Sequence, residues 1–279
     1  MPLSMASWIA LAAVVGLVVG SFLNVVVHRL PRMLERAWGE HDPGQGREGD
    51  AATFNLAVPA SHCPACHRPL SAWENIPVLS YLALRGRCRG CAAPIPARYP
   101  LIELAAGLGA VISVGALGPG AEATAVVAVY WTLLALSVID LEHYLLPDQL
   151  TLPLLWAGLL WSVFPYAEVA PRDAVIGAAA GYLSLWSVYH GFRLATGKEG
   201  MGYGDFKLTA ALGAWLGWNL LPALVLLAAV SAVVAALLPA LAGRPVAGRL
   251  PFGPFLALAG WVLLLLPAAW VTTYGGLTP

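Results

Sequence analysis

Apolar residues along this chain gather into runs of near-membrane length, at roughly 5–28, 100–117, 122–140, 149–165, 172–194, 206–218, 220–241 and 252–274. A helix needs about 20 consecutive apolar residues to cross a bilayer, so the pattern predicts an all-α polytopic membrane bundle of eight helices. The sixth run is short and leads into the seventh through Gly217-Trp218-Asn219; seven crossings with a re-entrant sixth segment fit the same pattern. One long hydrophilic stretch, Arg29 to Arg98, interrupts the series. The expected organisation is therefore a first transmembrane helix (1–28), a hydrophilic loop with a small cysteine-knuckle insert (29–99) and a membrane-embedded domain (100–279).

Composition agrees with that reading, since 59% of the 279 residues are hydrophobic and 11% charged, against about 25% charged in an ordinary soluble domain. The formal net charge of zero argues against a nucleic-acid partner. Charge is nonetheless unevenly placed. Nine of the fifteen Lys and Arg residues lie between Arg29 and Arg98. Cytoplasmic segments are enriched in these residues, which puts this loop inside. Alternating the later spans brings Arg193, Lys198, Lys207, Arg244 and Arg249 to the same side and leaves only Arg172 opposite. Both termini are then expected to face out. The first run has no basic residues ahead of it and is too long for a signal h-region, so it reads as a retained helix whose inner end is anchored by Arg29 and Arg32.

The hydrophilic loop contains an internal repeat. Cys63-Pro-Ala-Cys66-His-Arg-Pro-Leu and Cys88-Arg-Gly-Cys91-Ala-Ala-Pro-Ile share the pattern C-x-x-C-x-x-P-[LI], offset by 25 residues. Two such pairs have the spacing of a four-thiolate zinc site, Cys63, Cys66, Cys88 and Cys91. Two disulfides, a haem attachment at Cys63–His67 and four free thiols are the alternatives; a reducing cytoplasmic setting and the His-less second copy weigh against the first two. A closed four-sulfur shell would make zinc structural. Residues 39–50 read as a mobile Gly-rich connector. Trp73 to Leu82 reads as a short amphipathic piece facing the membrane.

Two carboxylates stand where a membrane protein avoids charge. Asp140 ends the third run within Asp140-Leu-Glu-His-Tyr-Leu-Leu-Pro-Asp148, and Asp205 opens the sixth within Gly202-Tyr-Gly-Asp-Phe-Lys207. An ionised residue at bilayer depth costs about 2.5–3.5 kcal/mol on insertion scales, so each is a functional candidate. The two intervening helices return the chain to the side it left. A carboxylate pair meeting in a low-dielectric site shares one proton, one member acting as base on water and the other polarising a carbonyl. Gly202 and Gly204 leave room for a backbone to approach closely. Asp148 has an adequate role as the N-cap of the fourth helix. His143 is placed to touch Asp140, and Lys207 to touch Asp205. Paired membrane carboxylates also suit a proton-coupled transporter, and a zinc-knuckle adaptor with structural carboxylates is a third reading. The six histidines form no H-E-x-x-H motif, and Ser187 with His190 has no third partner.

Five motifs together resemble one family. They are Gly20-Ser-Phe-Leu-Asn-Val-Val-Val-His-Arg-Leu-Pro31, the paired cysteines, Arg98-Tyr-Pro-Leu-Ile-Glu103, Asp140 to Leu152, and Gly200 to Leu208 with its G-x-G-D core. In that order the chain resembles the bifunctional prepilin leader peptidase/N-methyltransferases. The resemblance implies a multi-pass enzyme of the bacterial inner membrane that cuts the short basic leader of type IV prepilins and pseudopilins at the cytoplasmic face. It implies Asp140 and Asp205 as the catalytic pair, with Asp148, Gly202, Gly204 and Lys207 in supporting positions. It also implies methylation of the new N-terminus with S-adenosylmethionine as donor. No glycine-rich methyltransferase fingerprint is present, and Asn24, Gly86 and Glu103 are the candidates near the loop. Each has a plainer alternative: an interhelical hydrogen bond, a turn, and a partner for Arg98.

Overall fold

The computed structural model describes residues 3–39, 54–198, 200–241 and 250–266. The expected connector, Arg244, Arg249 and the end of the eighth run lie outside the described residues. Nine α-helices and two short 3₁₀ segments account for the regular structure there, and only two isolated bridges represent β pairing. The chain divides into two compact units, residues 1–119 and 120–279.

The first unit is built on α1 (Met5–Gly39) and α3 (Arg98–Leu117), which pack along one another. Small residues permit the approach. A Cβ on Gly20 would lie 2.6 Å from the Glu103 Cα, and one on Gly16 would lie 2.7 Å from the Gly107 Cα. Without a hydrophobic drive between helices in lipid, such close backbone packing is what holds a membrane pair together. The first helix is longer than its apolar run, continuing to Gly39 through a buried Pro31. Arg29 is buried, not a surface anchor; its guanidinium donates to the carbonyls of Asn55, Leu56 and Pro59. The expected amphipathic piece is broken into a 3₁₀ turn (Ala72–Asn75) and the short α2 (Leu79–Ala83), with Trp73, Leu79 and Leu82 exposed.

The second unit comprises α4 (Ala121–His143), α5 (Asp148–Trp161), α6 (Pro171–Thr196), α7 (Tyr203–Leu216), α8 (Leu221–Leu241) and α9 (Gly253–Leu264). Each of the eight expected runs thus contains a helix, but the helices differ in reach. Four segments, Met5–Gly39, Arg98–Leu117, Ala121–His143 and Trp218–Pro239, are long and apolar enough to cross a membrane. The 14 residues of α7 rise only about 21 Å, less than the ~30 Å hydrocarbon core. Gly202 and Gly217 bound that helix, the latter with φ +74°. This short helix is also the most enclosed: from Leu208 to Leu216 every residue is buried. It packs against α5, α6 and α9. The α6–α7 crossing brings backbones together at Gly177 and Gly213, where either glycine's Cβ would fall 2.2 Å from the other's carbonyl oxygen.

Candidate active site

The carboxylates of the second unit come from different helices. Asp140 lies in the last turn of α4 and Asp205 in the first turn of α7, at 6% and 7% exposure. Gly204, beside Asp205, and Gly253, which lies against Asp140, both pack on Leu146, so the bundle brings the two acids to the same end of the unit. Their supports differ. The Gly253 amide at the start of α9 donates to Asp140 Oδ2 at 3.0 Å. On the other side, the Gly202 amide faces the Asp205 carboxylate, and the Thr209 hydroxyl donates to the Asp205 carbonyl at 2.7 Å.

Leu146 knits these ends together. It follows Tyr144, whose left-handed φ of +53° ends α4, and it is buried. A Cβ on Gly204 would lie 2.7 Å from Leu146 Cβ, and one on Gly253 would lie 3.1 Å from Leu146 Cδ2. The G-x-G-D glycine therefore lets α7 close onto the α4–α5 turn. Gly202 is the residue capping α7.

Two sequence expectations are corrected here. Asp148 is not an N-cap: Pro147 occupies that position, and Asp148 is the first residue of α5. Lys207 does not turn to Asp205; its ammonium donates to both carboxylate oxygens of Asp148, at 2.7 and 2.8 Å. From Asp205 to Lys207 is about 200° around a helix, which directs the two side chains to opposite faces. His143 is exposed at the end of α4. Gly253 was missed altogether, because a backbone donor leaves no polar side chain for a sequence pattern to mark.

In the first unit the cysteine repeat is reproduced bond for bond. Cys63 N donates to Arg68 O at 2.9 Å and His67 N to Cys63 O at 2.9 Å; Cys88 N to Ala93 O and Ala92 N to Cys88 O match them at 2.8 and 2.9 Å. His67 and Ala92 both take left-handed φ, 56° and 57°. The four sulfurs lie within 4.8 Å of one another, with Cys63–Cys91 at 3.8 Å and Cys66–Cys88 at 4.0 Å. Tetrahedral ligands about 2.3 Å from one ion stand about 3.8 Å apart, so the cluster fits a metal. Backbone amides of Cys91 and Gly90 hold the Cys88 thiol down at about 6. The Cys91 thiol, although the Ala93 amide favours its ionised form, is pushed up to about 11 by burial and the neighbouring sulfurs. Four thiolates cannot coexist there without a cation to offset them. Beside the knuckle, Glu74 pairs with Arg68 and accepts from the Ser71 hydroxyl and amide at 2.6 and 2.9 Å, which lowers its carboxyl to about 2.

The α1–α3 crossing carries a second polar group. Asn24 Nδ2 donates to the carbonyls of Gly20 and Tyr99 at 3.3 and 3.1 Å, while its buried Oδ1 has no hydrogen-bond partner. One turn beyond Tyr99, buried Glu103 accepts the Val78 amide at 2.8 Å. It thus engages a backbone amide of the loop. Gly86, at φ +66°, makes a turn closed onto Tyr81.

Comparison with known proteins decides the family. Residues 14–116 match the bacterial peptidase A24 N-terminal domain, and residues 127–237 match the type IV leader peptidase family. A protein of Aeromonas hydrophila named prepilin leader peptidase/N-methyltransferase is 54% identical, covering 92% of this chain and 90% of its own. This chain belongs to the type IV leader peptidase family. Proteins of the same name in Burkholderia pseudomallei (52% identical; 96% of this chain, 88% of that one) and Pseudomonas aeruginosa (51%; 90% and 87%) agree. No solved structure matches. Both carboxylates of the family's peptidase region fall inside its matched segment.

Proposed function

We propose that the chain is a prepilin peptidase with N-methyltransferase activity, and that Asp140 and Asp205 perform the cleavage. The observation that carries this reading is the pair itself: two buried carboxylates from the ends of different helices, in the segment matched by the peptidase family. With one proton shared between them, the ionised member removes a proton from water as the oxygen attacks the scissile carbonyl carbon. The protonated member gives its proton to the carbonyl oxygen. Collapse of the resulting diol returns a proton to the amide nitrogen as the C–N bond breaks, freeing leader acid and pilin amine. Gly202 leaves open space beside the Asp205 carboxylate for a substrate backbone, Gly204 lets α7 close onto Leu146, and the Lys207–Asp148 pair fixes α7 against α5. The transporter and adaptor readings find no support in the family match.

The remaining assignments belong to the same proposal. The substrate is a prepilin or pseudopilin with a short basic leader, whose apolar helix lies in the bilayer beside the enzyme. The Lys and Arg distribution orients the charged loop and both aspartates toward the cytoplasm, and a bacterial enzyme so oriented resides in the inner membrane. Zinc on Cys63, Cys66, Cys88 and Cys91 holds the loop between α1 and α3, and the peptidase domain is the second unit, from residue 120 onward. S-adenosylmethionine is a cation, and the first unit offers acceptors suited to a cationic reaction: the unpartnered Asn24 Oδ1 and the Glu103 carboxylate. The donor supplies the methyl group when bound. Asn24 would hold the substrate ammonium, Glu103 would take up the proton the amine releases, and Gly86 would shape the turn alongside.

Incubating the purified protein with a precursor pilin and the methyl donor tests the whole reading. Mass spectrometry is expected to find the mature chain, shortened by its leader and carrying one methyl on its new N-terminus. An unprocessed precursor that nevertheless binds would contradict it.

A further inference from the structure

The aspartate pair is made of side chains, but one of its partners is a backbone group on a third helix. At the start of α9 the sequence reads Leu250-Pro251-Phe252-Gly253-Pro254. The prolines on either side carry no N–H, and the amides of Phe255 and Leu256 donate to the Phe252 carbonyl. Gly253 N–H is therefore the first-turn donor directed elsewhere, and it meets Asp140 Oδ2 at 3.0 Å in a buried setting. The glycine has no positive φ to explain it. Space explains it: a Cβ would lie 2.6 Å from Asp140 Oδ2 and 3.2 Å from its Cγ.

Resting on the assignment of Asp140 and Asp205 as the cleaving pair, we propose that Gly253 is a positioning residue of the peptidase. Its amide fixes the rotamer of Asp140, and the α9 N-terminus, a partial positive charge, supports the ionised form needed to accept a proton from water. The absent side chain is what lets the helix end reach the carboxylate. The other ionisable groups on the elements around Asp140 are Glu142 and His143 beside it on α4, with Glu122 and Tyr130 farther back on that helix, Asp148 on α5, and Tyr203, Asp205 and Lys207 on α7. Those described on α9 number none. Gly253 is thus α9's contribution to the electrostatics of the pair.

Gly253→Ala is expected to lower kcat roughly 10–100-fold, the effect of losing a hydrogen bond to a charged group, with KM for the prepilin within about two-fold of wild type. Gly260→Ala is the packing control. It lies on the same helix, with its Cβ 2.5 Å from Leu212 Cδ2, and should spare kcat. An equal fall in both variants would overturn the proposal. A second measurement needs no glycine variant. Phe252-Gly253 is the only Phe–Gly pair in the chain, so labelling with carbonyl-13C Phe and 15N Gly isolates the Gly253 amide by NMR. Its proton should resonate downfield and move upfield in Asp140→Asn. An identical shift in the two proteins would overturn the proposal. If Asp140→Asn and Asp205→Asn still cleave, the aspartate assignment itself falls. If they are inactive while Gly253→Ala keeps wild-type kcat, only the positioning role falls.

Discussion

Lys207 grips both carboxylate oxygens of Asp148, 59 residues away in sequence, at 2.7 and 2.8 Å. The pair ties the first turn of α7, which carries Asp205, to the first turn of α5. Both side chains are partly solvated, at 33% and 48% exposure, so the pair contributes at most about 1 kcal/mol to stability. Its effect lies in where it holds Asp205. Lys207→Ala and Asp148→Ala are each expected to reduce cleavage several-fold without loss of folded protein. The double variant should be no worse than either single one, and initial rates on a prepilin check this.

Gly177 and Gly213 make the closest backbone approach at the α6–α7 crossing. Gly213→Ala has backbone on the other side, with no flexible side chain to yield, so the helices must separate. Overpacking of this kind costs typically 1–3 kcal/mol. Thermal unfolding in detergent should show a lower midpoint, and cleavage should fall in parallel because α7 carries Asp205.

The cysteine cluster should bind one zinc per chain. Cys88→Ser or Cys63→Ser is expected to abolish it, as read by metal analysis of purified protein. Acid competes with the metal for the four sulfurs of the cluster. Metal binding requires the thiolate. Zinc is therefore retained above neutrality and released in acid, which a chelating dye followed against pH would detect.

Glu103→Gln keeps the size of the buried side chain and removes its capacity to take a proton. Methylation of an already cleaved pilin peptide should drop at least about ten-fold, while leader cleavage by the same sample stays near wild type. Equal loss of both activities would assign Glu103 a structural role at the α1–α3 crossing.

Much of this architecture was legible in the sequence because lipid imposes a simple rule: long apolar runs become helices, and charge within them has a reason. Asp140 and Asp205 were visible on that ground alone, and the 25-residue cysteine repeat predicted a symmetry that the backbone reproduces. Helix lengths were less legible. A run of apolar residues does not reveal that Gly202 and Gly217 cut α7 to 14 residues. Nor does spacing reveal long-range partners: Lys207 is two residues from Asp205 yet bonds Asp148. Gly253 left no trace, since its contribution is an amide every residue but proline possesses.

The central claim is that Asp140 and Asp205 act together on one peptide bond. Its most direct test is prepilin cleavage by Asp140→Asn, Asp205→Asn and the double variant, with methylation of a pre-cleaved pilin peptide measured on the same samples. The account predicts that each single change abolishes cleavage as completely as the double one, while methylation persists. Substantial leader removal by either single variant would contradict it.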